Sequence, residues 1–259
     1  HMTAYTLITG ASEGLGVAFA RIAANEGRNL ILAARSQDKL DALAADLRSD
    51  SVDVVVIPAD LSDMEQVDRL WSEASTGREI DVLVNNAGLG YNGAFSAGQG
   101  WDRELSSIHV NMLALTRLMK LAIPHMEALP KGRILNVASV AAFTPGPNMA
   151  VYHATKAYVL SLSEAVAEEL RGTNVTVTAL CPGATATNFF EDADMHDVRL
   201  LQLAKPMAAG PVAELGWLQS RIGKAIVVPG AMNKVLAFVP RLSPRWMTTW
   251  VTAKLMGKH

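Results

Sequence analysis

The chain has 259 residues and a formal net charge of -2, with half of its residues apolar and 19% charged. That balance is too hydrophobic for a disordered chain and lacks the basic excess that nucleic-acid binding demands. Cys181 is the only cysteine, which excludes an internal disulfide and a cysteine-built metal cluster and fits a reducing, cytoplasmic location.

The six histidines show no HExxH-type spacing and no uninterrupted apolar run of about 18 residues occurs, so neither a zinc site nor a membrane span is expected. His1 and Met2 read as a cloning remnant, after which the chain opens into a strand and a glycine turn rather than a signal peptide. Seven segments then read as strands: YTLITG (5–10), NLILAAR (29–35), VDVVVIPAD (52–60), DVLVNNAG (81–88), GRILNVAS (132–139), VTVTALCPG (175–183) and AIVVPG (225–230). Most are apolar on both faces, as strands of a parallel sheet buried between helix layers are. Helical patterns fill the gaps at 14–27, 38–49, 63–77, 101–126, 151–172 and 208–224. Repeated strand-helix units imply right-handed crossovers and hence a single-domain α/β fold: a Rossmann-type, doubly wound, parallel seven-stranded sheet with helices on both faces.

Residues 3–230 are read as the dinucleotide-binding and catalytic domain and 231–259 as its amphipathic C-terminal extension. Within the domain, residues 183–210 follow a strand end without a strand period and carry Phe189, Phe190, Met195, Arg199, Leu200 and Leu201. A substrate loop is expected there, because ligands of open α/β sheets bind beyond the carboxyl ends of strands. With Phe143, Pro145, Pro147 and Met149 nearby, an apolar substrate is favoured over a sugar or a charged acid.

The turn after the first strand carries Gly10, Gly14 and Gly16. These suit a tight turn, close approach of a pyrophosphate and close helix packing, with the helix N-terminus facing the phosphates. Tyr152 and Lys156 are four apart on a helix and share one face. On their own they favour a solvated or half-buried pair over a catalytic one.

Thr9-Gly10-x-x-x-Gly14-x-Gly16, Asp60-Leu61, Asn85-Asn86-Ala87-Gly88, Asn111, Ser139 thirteen residues before Tyr152, and Pro182-Gly183 with Thr187 follow one another in order. This series resembles the short-chain dehydrogenase/reductase family over about residues 4–230, and is loosely similar to its 17β-hydroxysteroid and 3-ketoacyl reductase members. The resemblance implies an NAD(P)-dependent oxidoreductase in which Asn111, Ser139, Tyr152 and Lys156 are catalytic, with Tyr152 as general acid for reduction and general base for oxidation. Lys156 would lower the phenol pKa and hold the nicotinamide ribose, and Asn111 would hold a relay water. It also implies a cofactor site of Gly10, Ser12, Glu13, Gly14, Leu15, Gly16, Arg35, Ser36, Asp60, Leu61, Asn86, Ala87, Gly88, Tyr152, Lys156, Pro182, Gly183, Thr185 and Thr187, with no metal.

Arg35 and Ser36 stand at the second strand's end, where an acidic residue would accept the ribose 2'-OH of NAD. Arginine there can fork onto a 2'-phosphate, so NADP(H) is favoured over NAD(H), although the carboxylate of Glu13 argues the other way. The partners expected are a small carbonyl or alcohol and a second or fourth copy of the chain, as a homodimer or homotetramer. The tail interleaves Val235, Leu236, Phe238, Val239, Trp246, Trp250 and Leu255 with basic residues. It suits peripheral contact with a membrane, a cover for the cleft or a subunit interface. A non-catalytic NADP-binding sensor on the same fold is the alternative function, but it would have no need of Ser139, Tyr152 and Lys156 together.

Overall fold

A computed structural model describes residues 4–185, 193 and 206–256. All seven expected strands form: β1 (Tyr5–Thr9), β2 (Asn29–Ala34), β3 (Val54–Pro58), β4 (Ile80–Asn85), β5 (Gly132–Val137), β6 (Val175–Leu180) and the short β7 (Ile226–Val227). They pair in parallel in the order β3-β2-β1-β4-β5-β6-β7.

Helices α1 (Gly14–Asn25), α2 (Gln37–Leu47), α3 (Met64–Ser75), α4 (Trp101–Ile108), α5 (Leu115–Glu127), α6 (Ala150–Glu169) and α7 (Ala209–Arg221) supply the crossovers. One apolar layer joins Leu70, Leu118 and Val159 of α3, α5 and α6 to the sheet; the other joins Phe19, Leu40 and Trp217 of α1, α2 and α7. Because both faces are covered, Leu7, Ile8, Leu30, Ile31 and Leu32 are fully buried whichever way they point. Two further helices, α8 (Ala231–Leu242) and α9 (Arg245–Met256), complete the described chain.

The stretch 101–126, expected as one helix, is interrupted. A π-helical turn at His109–Ala114 separates α4 from α5. Inside it, the Asn111 side chain is bound to both backbone groups of Leu89: Oδ1 accepts from the Leu89 N–H at 2.8 Å and Nδ2 donates to the Leu89 carbonyl at 2.8 Å. A widened turn accommodates such a pull at the expense of regular helical bonds, and turns of this kind recur at functional sites.

Strand order reverses between β1 and β4, where a doubly wound sheet opens a ligand crevice. The glycine turn leaves β1 there. Gly10 and Gly14 adopt φ of 62° and 52°, which only glycine takes without strain. A Cβ on Gly16 would lie 2.1 Å from the Gly10 carbonyl oxygen. Gly16→Ala is therefore expected to cost about 1–3 kcal/mol of stability and to weaken dinucleotide binding. Thermal melting and an NADPH titration check this, and an unchanged melt refutes the packing argument.

Candidate active site

The crevice is one continuous cleft of about 1210 Å³, room for a dinucleotide with a substrate beside it. Of the site residues expected from sequence, all lie in its wall except Gly16 and Asn111, which stand behind it, and Thr187, which lies outside the described residues. Phe189, Phe190, Met195, Arg199, Leu200 and Leu201 of the expected substrate loop also lie outside them. The start of that loop is tied to its end by a bridge between Thr185 and Met207.

At the phosphate end, Asn86 braces the glycine turn. Its Nδ2 donates to the Thr9 and Gly10 carbonyls at 3.1 and 3.0 Å. Thr9 Oγ1 receives the backbone N–H groups of Asn86 and Ala87 at 3.1 Å each. Thr9 was thus absent from the expected site set, and its part follows from the neighbouring ends of β1 and β4.

At the corner of β2, Arg35 is exposed and Ser36 occupies the N-cap of α2 without a side-chain capping bond. One helical turn on, Lys39 also lines the cleft and forms an ion pair with Glu13. The carboxylate that argued against a 2'-phosphate is therefore matched by a cation. Sequence reasoning missed Lys39 because its partner is 26 residues away; its spacing of four from Arg35 was the available signal.

The chemistry-bearing residues converge at the ends of β5 and α6. Ser139 caps the 3₁₀ turn Val140–Phe143, accepting from the Ala141 N–H at 3.1 Å. It also hydrogen-bonds the Tyr152 phenol. Lys156 is 4% exposed; its Nζ lies 5.7 Å from the Tyr152 ring centroid and donates to the Val137 carbonyl at 2.9 Å. A side chain on Gly88 would intrude here, its Cβ 3.2 Å from that Nζ. Asn111 Nδ2 donates to Thr155 Oγ1 at 2.9 Å, so its amide braces α6 beside Lys156.

Electrostatics depart from the sequence expectation at Tyr152. Burial pushes its pKa up to about 12, against the lowering effect of the Ser139 bond. Desolvation outweighs the Ser139 bond, and burial likewise brings the pKa of Lys156, whose Nζ donates to the Val137 carbonyl, down to about 8. In the isolated chain Tyr152 is thus a neutral proton donor. Above about pH 8 the native lysine has released a proton that the unfolded chain still holds, so this group adds stability as pH rises. The melting temperature of the wild type relative to Lys156→Met should consequently rise from about pH 8 to pH 10; a pH-independent gap would contradict a lowered Lys156 pKa.

His153 is buried on the cleft wall, its Nδ1 paired with the Thr144 carbonyl at 2.8 Å. Cys181 is fully buried, and burial pushes its thiol up to about 12, so it is an inert core group. The far wall comes from the tail: Leu236, Val239, Pro240, Met247, Val251 and Leu255 of α8 and α9. α8 is seated there by Asn233, which lies where a Gly183 side chain would be, 2.5 Å from its would-be Cβ.

A doubly wound sheet with a glycine-braced crevice and a Ser-Tyr-Lys cluster at its strand ends defines a dinucleotide-dependent oxidoreductase. The short chain dehydrogenase family model matches residues 4–197, and the chain belongs to that family. Ketoacyl reductase HetN of Nostoc is 31% identical over 92% of this chain and 84% of its own length. Human 17-beta-hydroxysteroid dehydrogenase type 3 is 35% identical over 72% of this chain and 60% of its own. Among solved structures, a short-chain dehydrogenase from Sphingobium yanoikuyae in complex with NADPH superimposes with a TM-score of 0.81 at 33% identity, covering 88% of each chain.

Proposed function

We propose that the chain is an NADPH-dependent reductase of an apolar ketone, such as a steroid or 3-ketoacyl compound, and oxidises the secondary alcohol in reverse. The carrying observation is the Tyr152 phenol, bonded to Ser139 and packed with Lys156, in a cleft whose tail-built wall is mostly apolar, with Ser243, Thr248 and Thr252 among its aliphatic residues. NADPH in the Sphingobium relative, the ketoacyl and hydroxysteroid names of the two curated relatives, and the Arg35-Ser36-Lys39 corner support this reading.

The cleft fits a dinucleotide: the glycine turn leaves backbone room for phosphates, Arg35 and Lys39 offer cations at the ribose corner, and Asp60 and Leu61 line the adenine side. Bound there, the cofactor supplies the hydride. Ser139 orients the substrate oxygen, and Tyr152 gives its phenolic proton to that oxygen as negative charge develops on it. Lys156 holds a positive charge beside the phenolate left behind and steadies it. Asn111 ties Leu89 to Thr155 and so keeps Lys156, one position on along α6, in register. Tail residues exclude water from the ketone, which strengthens each of these interactions.

In this reading residues 231–259 belong to the same domain, and the enzyme works in the cytoplasm as a homodimer or homotetramer, which light scattering on the purified protein checks. The functional test is NADPH oxidation across a panel of ketones graded in size and polarity. Turnover rising with apolar bulk supports the proposal; cofactor binding with no turnover on any ketone favours the sensor.

A further inference from the structure

Of the fifteen exposed large hydrophobic residues among those described, ten lie in α8 and α9. Four of them, Leu236, Val239, Met247 and Val251, line the cleft and are spoken for. Six are not: Met232, Val235, Phe238, Leu242, Trp246 and Trp250 have no part in the cleft wall, and Leu242, Trp246 and Met232 are 76%, 73% and 70% exposed. Positions 235, 238 and 242 follow one side of α8, and 246 and 250 are one turn apart on α9. An apolar stretch this concentrated marks a contact surface.

Charge identifies the partner. Residues 231–259 carry Lys234, Arg241, Arg245, Lys254 and Lys258 and no aspartate or glutamate, in a chain that is acidic as a whole. Lys254 Nζ rests 5.7 Å from the Trp250 ring centroid. A second copy meeting this face across a two-fold axis would set these cations against their own counterparts. Anionic headgroups above an acyl layer satisfy both features at once: cations meet phosphates while tryptophan, phenylalanine and leucine enter the boundary. Neither helix is long and apolar enough to cross a membrane, so the pair lies along the surface.

We propose that α8 and α9 are an interfacial anchor that seats the enzyme on an anionic membrane surface, and that the cavity they wall takes its apolar carbonyl from that side. The outward face and the cleft wall belong to the same two helices, so a single helix layer, about 10 Å thick, separates the lipid from the cleft that Tyr152 lines. The delivery step rests on the apolar-ketone reading; the anchor does not.

Flotation of the purified full chain with phosphatidylcholine vesicles containing about a third phosphatidylserine tests the anchor. The wild type should float with these vesicles and far less with pure phosphatidylcholine. Lys234→Gln and Arg241→Gln should each weaken partitioning about fivefold, and Trp246→Ala with Trp250→Ala should remove most of it. These positions lie outside the cleft wall, so melting temperature and NADPH affinity serve as fold controls and should stay unchanged. A folded wild type that remains in the buffer overturns the anchor. So does unchanged flotation of the tryptophan variant, or a dimer that the tryptophan changes dissolve without any flotation. Turnover forms a separate arm: vesicles should raise the rate on a lipid-dissolved ketone and leave a water-soluble one unaffected. Flotation without reduction of any apolar ketone overturns the substrate reading and the delivery step while leaving the anchor standing.

Discussion

Tyr152→Phe should lower NADPH-dependent ketone reduction by about 10²- to 10⁴-fold, the range for losing a positioned general acid, while NADPH affinity holds. The ring remains to pack over Lys156, and only the hydroxyl, with its proton and its bond to Ser139, disappears. Because burial holds the phenol at a pKa of about 12, the wild type should reduce ketones at a steady rate through neutrality. The rate should fall above about pH 8, where Lys156 gives up its charge. Steady-state kinetics with a cofactor titration separate the two parameters. A variant keeping more than about a tenth of wild-type turnover would remove Tyr152 from the role, since general acids contribute at least about a hundredfold.

Arg35→Ala should raise the NADPH dissociation constant about ten- to a hundredfold, the loss of a charge-assisted bond of about 1.5–3 kcal/mol, and change NADH by much less. Lys39→Ala should act in the same direction for a second reason. It removes a cation and takes the Lys39 ion pair from the Glu13 carboxylate, raising the negative charge felt beside the phosphate. Adding Glu13→Gln to Lys39→Ala should then restore part of the lost NADPH affinity. Fluorescence titration of both cofactors decides the matter, and equal losses for NADPH and NADH would exclude a phosphate-reading corner.

The strands were legible because each is apolar on both faces, a pattern that a parallel sheet covered on both sides demands. The glycine turn and the Tyr152-Lys156 pair were legible because their geometry is local: a positive φ, or four residues on one helix face. The interruption at His109–Ala114 was not, since Asn111 takes its partners from Leu89 and Thr155, 22 and 44 residues away. The sign of the Tyr152 shift was also hidden. Sequence placed a cation near the phenol, but only the packed fold shows how thoroughly water is removed from it and that Lys156 turns to Val137.

The amino-acid order by itself determined the doubly wound sheet and the glycine turn at its switch point, because period and glycine placement fix these within one element or one turn, while the grouping of Ser139 with Tyr152 and Lys156 came from the family resemblance. Tertiary structure alone decided which cations share the Arg35 corner, what walls the cleft opposite Tyr152 and which face of the tail is left to the outside. Those depend on contacts such as Lys39 with Glu13 and Asn233 over Gly183. Long-range contacts of that kind are set by how the layers pack, and no local period in the chain records them.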